Sequence, residues 1–238
     1  MNTLNQLAYS IIETVTPKAV ITEPITLDII KYHIKNLRAQ FIKNELNKNR
    51  SIDNEIIQDL GCIPLVQADV SECCDTPIGC TFLRTAVPIP GFIELYHEPA
   101  LTRVGPINKT SRPFQLIPYE RIPFEFYNQF TRNEVKAYLM NSKGYLYLAI
   151  ANDNILSKSL NKINIQGVLE DPSAAASFNQ CDGTSCFNDD TTPYPIKNWM
   201  ASAITSTVIK MFIDPEHKEP IDTSNDGRTD YHPTTTNK

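Results

Sequence analysis

The chain has 238 residues, 41% hydrophobic and 21% charged, enough to bury one good core or two smaller ones. Its 22 Lys and Arg stand against 27 Asp and Glu, and the formal net charge of −5 argues against a surface built to grip nucleic acid. Only 8 glycines leave little for phosphate-cradling loops, while 17 prolines point to extended segments and fixed turns.

Met1 to Gln6 carries no basic segment, so the start does not read as a secretory signal, and no apolar run is long enough to cross a bilayer. Leu4, Leu7, Ala8, Ile11, Ile12 and Val15 recur at helical spacing. Thr3 with Gln6 has the form of a capping box, and Pro17 stops the helix. A second helix is expected from about Leu27 to Asn47, capped by Thr26, with Leu27, Ile30, Ile34, Leu37 and Phe41 as its buried stripe. Lys31, Lys35 and Arg38 line another face of it. That face reads as solvated surface, or as a contact with a neighbouring subunit or DNA phosphate. Ser51 or Asp53 would cap a short third helix ending near Leu60, with Gly61 as a left-handed stop.

From Cys62 the pattern becomes strand-like. Strands are expected at Ile63 to Val70, Thr81 to Val87, Leu101 to Val104, Phe114 to Ile117, Val135 to Met140, Tyr145 to Ile150 and Ile163 to Leu169. Asn141 to Gly144 would close a hairpin. Prolines at 88, 90, 106, 113, 118 and 123 favour edges and loops over one large regular sheet. Asp171-Pro172 opens a short helical turn, a polar loop runs from Asn179 to Pro193, and a last helix fits Ile196 to Phe212. Trp199, Ala203, Ile204, Val208, Met211 and Phe212 would lie mostly on one side of that helix.

The order of elements makes an α+β protein, with N-terminal helices and a C-terminal helix packed with a loop-rich, mostly antiparallel β domain. Four regions are expected: 1–61 helical, 62–170 β, 171–213 loop and helix, and 214–238 a polar tail. The tail has no apolar period and is expected to order only on assembly, against a neighbouring subunit or ring.

The sequence offers no catalytic, cofactor-binding or metal-ligating residue to single out, and no cofactor is expected. There is no phosphate-binding glycine loop and no Gly-x-Ser-x-Gly elbow. His97-Glu98 starts like a zinc-protease motif, but Leu101 stands where the second histidine belongs and Pro99 interrupts the helix. Asp222 to Gly227 resembles a calcium loop whose twelfth position, Pro233, is not the required Glu. Cys62, Cys73, Cys74, Cys80, Cys181 and Cys186 match no common zinc spacing; free structural thiols are expected, ahead of a disulfide formed after cell lysis or a metal site. His33 reads as a packing or surface residue in its helix. His217 and His232 lie in the unpatterned tail, so no catalytic pairing stands out.

Several stretches taken in order carry a resemblance. They are Asn2 to Tyr9, Ile34 to Ala39, Ile56 to Cys62, Thr102 to Ile107, Phe114 to Arg121, Gly167 to Pro172, and Tyr194 to Ile196. Together, over most of the chain to about residue 213, they resemble the ring-forming neck and tail proteins of crAss-like bacteriophages, which infect gut Bacteroidales. The resemblance implies a virion structural protein and not an enzyme: a ring of twelve copies below the portal that extends the DNA conduit. It implies a homo-oligomeric ring, contacts with the portal or adjacent tail rings, transient passage of DNA, no membrane, and assembly in the host cytoplasm. Twelve copies at −5 give a formal −60, a balance that would let DNA slide without holding it. Two other readings stay open: another virion component, such as a capsid-decorating or cargo protein, and a cell-wall hydrolase.

Overall fold

Thr3 opens helix α1 (Leu4–Val15) with the expected reciprocal bonds. Its hydroxyl accepts the Gln6 amide at 3.3 Å, and the Gln6 carboxamide oxygen accepts the Thr3 amide at 3.0 Å. Leu4, Leu7, Ala8, Ile11 and Val15 are buried, as their spacing requires. The computed structural model describes residues 2–16, 26–48, 53–68, 80–96, 98–125, 130–131, 133–140, 144–151 and 159–213. The Pro17 stop, the Asn141 to Lys143 turn residues and the 214–238 tail therefore lie outside the described residues.

Helix α2 (Leu27–Leu46) follows Thr26, whose side chain makes no capping bond. Its buried stripe is Ile30, Ile34, Arg38, Ile42 and Leu46. Leu27, Leu37 and Phe41, expected as part of that stripe, are only partly buried. The third helix is not formed. A single 3-10 turn, Asn54–Ile56, leads into strand β1 (Gln58–Asp59). Long-range pairing overrides local helix preference here, because the Gln58 side-chain oxygen accepts the Leu169 amide at 2.8 Å. Gly61 does take the left-handed conformation, at φ +67°, but in the turn between two strands.

The remaining strands are β2 (Ile63–Gln67), β3 (Cys80–Thr85), β4 (Leu101–Pro106), β5 (Gln115–Leu116), β6 (Lys136–Met140), β7 (Tyr145–Ala151) and β8 (Lys162–Gly167). They form one curled sheet in the order β1-β8-β2-β3-β7-β6-β5, with β4 also on β8. Every pairing is antiparallel except β5 with β6. The curl starts in β2, where Ile63 and Pro64 pair with β8 while Leu65 to Gln67 pair with β3. Prolines 88, 90, 113 and 118 fall between strands, Pro106 ends one, and Pro123 sits in the four-residue helix α3 (Ile122–Glu125).

Period-two alternation gives the sheet two buried faces. Leu83, Ala137, Leu146, Leu148 and Ile150 join the main core, while Phe82, Tyr138, Tyr147 and Ala149 face a smaller cluster with Ile117 and Ile122. Tyr138 stacks on Tyr147 with ring centres 5.4 Å apart.

After β8, the Asp171 side chain accepts the Ser173 amide at 2.9 Å and opens the 3-10 turn Pro172–Ser177. Helix α4 (Asn198–Ile213) then returns to pack on both α1 and α2. It buries Met200, Ile204 and Val208; of the side expected from the sequence, Ile204 and Val208 are buried, while Trp199 and Met211 are 48% and 50% exposed. The architecture is α+β: helices from both ends of the chain pack together, and one apolar core runs from them into the sheet.

Candidate functional site

The basic face of α2 points inward, which overturns both readings made of it. Lys31 Nζ pairs with Asp189 at 3.1 Å and Lys35 Nζ with Asp171 at 3.0 Å. Arg38, fully buried, donates from Nε to the Pro195 carbonyl at 3.0 Å and from Nη1 to the Leu169 carbonyl at 2.8 Å. Its guanidinium lies over the Tyr194 ring, 5.8 Å from the centroid. Burial pulls the Arg38 guanidinium down to about 10, so it stays charged at neutral pH, and burial pushes the Tyr194 phenol up. The spacing of 31, 35 and 38 was visible; the carbonyl and carboxylate partners, more than a hundred residues away, were not. His33 is a packing residue, edge-on to both Tyr32 and Phe212 at 5.6 Å. The other histidines lie outside the described residues.

A second polar centre sits where the chain enters the sheet. The Asp59 carboxylate accepts bonds from Lys109 Nζ, from Asn164 Nδ2 at 2.6 Å, from Gln166 Nε2 at 3.0 Å and from the Gly61 amide at 2.9 Å. Burial by itself pushes this carboxyl up, but the bonds from Lys109, Gln166, Gly61 and Asn164 outweigh it and hold the group below the ordinary carboxylate range. A carboxyl depressed by folding contributes stability above its unfolded value, and that contribution is lost as pH falls through the folded one. Urea midpoints of the wild type should therefore fall as the pH drops below about 4. Asp59→Asn should be less stable at neutral pH and show a shallower acid decline. Parallel acid declines in the two proteins would contradict this.

Beside Asp59, Cys62 and Cys181 are joined in a disulfide across a separation of 119 residues, with Cα atoms 5.1 Å apart. This corrects the expectation of free thiols for that pair, because topology and not spacing brings them together. Cys186 is free and half-buried. Cys73, Cys74 and the side chain of Cys80 lie outside the described residues. Among the described residues, no group of three or more His, Cys, Asp or Glu is placed to hold a metal ion.

The outward face of α2 is open to solvent. Ile29, Tyr32, Asn36, Gln40 and Lys43 recur at steps of three and four, so they share one face, and all are exposed. Ile29 is 43% and Tyr32 63% exposed, giving the helix an apolar start. Further along, Asn36, Ala39, Gln40 and Lys43 line a cleft of about 940 Å³ together with residues 89–96, Glu98 and Pro99. The sequence carried this signal, but the buried stripe drew the attention instead.

An exposed apolar patch on the same helix face as a cleft suits contact with another protein. The family model of phage tail ring protein 2 matches residues 6–231. The chain belongs to this family. The match extends past residue 213 and takes in most of the polar tail. A search of curated proteins finds no match. As a phage tail ring protein, the chain is a structural component of the virion, from a family whose members are tail rings. No helix among its described residues is long and apolar enough to cross a membrane.

Proposed function

We propose that this ring protein assembles as a homo-oligomer of twelve copies in the portal-proximal neck of a short-tailed, crAss-like phage. Its bore would extend the DNA conduit between capsid and tail, and the chain would have no catalytic role. Assembly would take place in the host cytoplasm, against the portal or adjacent tail rings. The observation that carries the reading is the exposed α2 face. A closed ring needs two different complementary surfaces on each copy, and this face, with its apolar start and its cleft, supplies one of them. The net charge of −5 per copy supports a bore that does not hold DNA.

Gently disrupted particles should release a species of twelve times the chain mass, and imaging should place it at one vertex. A protein spread over the whole capsid would refute the reading. Tyr32→Glu should leave unfolding of the isolated chain within about 0.5 kcal/mol of wild type, because the side chain is exposed. It should nevertheless cut incorporation into particles at least ~tenfold, since a charge would be buried at the joint. Normal incorporation would remove the α2 face from the interface.

A further inference from the structure

The sulfur pair joins the turn between β1 and β2 to the loop that follows β8 and its 3-10 turn, at a neck of the chain. Bonds other than the disulfide already hold this neck. The Leu60 amide donates to the Ile165 carbonyl at 2.9 Å, and the Cys62 amide to the Asn179 carbonyl at 3.0 Å. Asp59 ties the entering strand to β8 through Asn164 and Gln166. Two cysteines placed by such contacts, with Cα atoms 5.1 Å apart, are seated for bonding before any bond exists. We propose that Cys62 and Cys181 form a redox lock, open while the chain folds and assembles, and closed by exchange with a small-molecule disulfide after the particle leaves the reducing cell. The timing rests on the cytoplasmic assembly proposed above.

Exposure assigns the order of events. Cys181 is exposed and Cys62 half-buried. The Cys181 thiolate attacks one sulfur of the small disulfide, forming a mixed disulfide and expelling one small thiolate. The Cys62 thiolate then attacks the Cys181 sulfur and expels the second. The protein loses two electrons, and the small disulfide gains them. The two protons released by the protein thiols end on the two small thiols.

Cys186, the free thiol beside the pair, is a weak competitor for it. Its sulfur accepts a bond from Gln180 Nε2 at 3.4 Å and lies against Gly61. Burial first, then the Asp59 and Asp182 carboxylates, push this thiol up to about 11, so at neutral pH it is protonated and a poor nucleophile. The lock ties together the two ends of the segment that holds seven of the eight strands, β2 to β8. It also fixes the start of the loop that carries Asp189, the partner of Lys31.

The test uses the full chain, purified reduced and then treated with oxidised glutathione, followed by alkylation and peptide mass analysis. The reduced chain should already fold. Oxidation should link Cys62 to Cys181, leave Cys186 alkylatable after unfolding, and raise Tm by on the order of 10 °C. Cys186→Ser should keep that rise, and Cys62→Ser should lose it. In phage-infected cells alkylated before lysis both cysteines should be free, and in released particles they should be linked. A link to Cys186, an unfolded reduced chain, no rise in Tm, or a bond already closed before lysis would overturn the proposal. Rings built from chains whose Cys62 and Cys181 stay alkylatable would remove the lock and leave the ring assembly standing.

Discussion

Arg38→Ala is expected to destabilise the isolated chain by about 3–5 kcal/mol, measured as a shift in urea unfolding at neutral pH. The side chain is fully buried and donates to the Leu169 and Pro195 carbonyls, which belong to segments on either side of the 3-10 turn and polar loop. Truncation leaves both carbonyls buried without that donor and opens a cavity where the aliphatic stem packed. Arg38→Lys should recover less than half of the loss, because an ammonium cannot match two acceptors that the guanidinium meets with separate nitrogens. Lys35→Ala gives the contrast. Its partner Asp171 is half-exposed, so the cost should stay below about 1 kcal/mol. Equal losses at Arg38 and Lys35 would mean that burial is not the source of the effect.

The second large effect is expected at Gly61. Alanine there keeps a left-handed backbone at φ +67°, which costs about 1–2 kcal/mol. Its Cβ would also sit 2.3 Å from the Asn179 carbonyl oxygen and 2.9 Å from Cys186 Sγ. The neck must then move, and the bond from the Cys62 amide to Asn179 is lost with it. A total loss of about 3–4 kcal/mol follows, together with slower closure of the Cys62–Cys181 bond. Gly183→Ala separates the two contributions, since Gly183 also has a positive φ, +87°, but nothing within 4 Å of the added carbon. It should lose only the backbone part. If the two variants lose equally, crowding at the neck plays no role.

How much of this was legible depended on how local the cause was. Helix α1 could be read because its cap and its stripe lie within sixteen residues. Most strands could be read because alternation survives in short windows, and β6 and β7 fell within a residue of their expected bounds. Helix α2 was placed well but rotated wrongly. Apolar residues occupy several of its sides, and the true stripe contains an arginine whose acceptors are fixed by the C-terminal half. In α4 the expected side included Ile204 and Val208 correctly, but the buried i, i+4 series begins at Met200 and leaves Trp199 half-exposed. Strand β1, the Asp59 centre and the disulfide depend on partners roughly a hundred residues away, and no periodicity reports those. The ring resemblance rested on the order of many blocks, because no single block is a catalytic signature.

The packing of α4 against α1 and α2 also sets a timetable for synthesis. At ordinary translation rates, the roughly 150 residues between α2 and α4 delay the last helix by on the order of 10 s after the first two have emerged. Through that interval the α1–α2 pair lacks the third helix that covers it. The strands of the sheet emerge meanwhile and are free to pair. A chain broken off by a stalled ribosome or a nonsense codon before residue 198 never completes the bundle. If copies join through the α2 face as proposed above, that surface is built on the bundle, and unfinished chains would be screened out before they could poison an assembling ring.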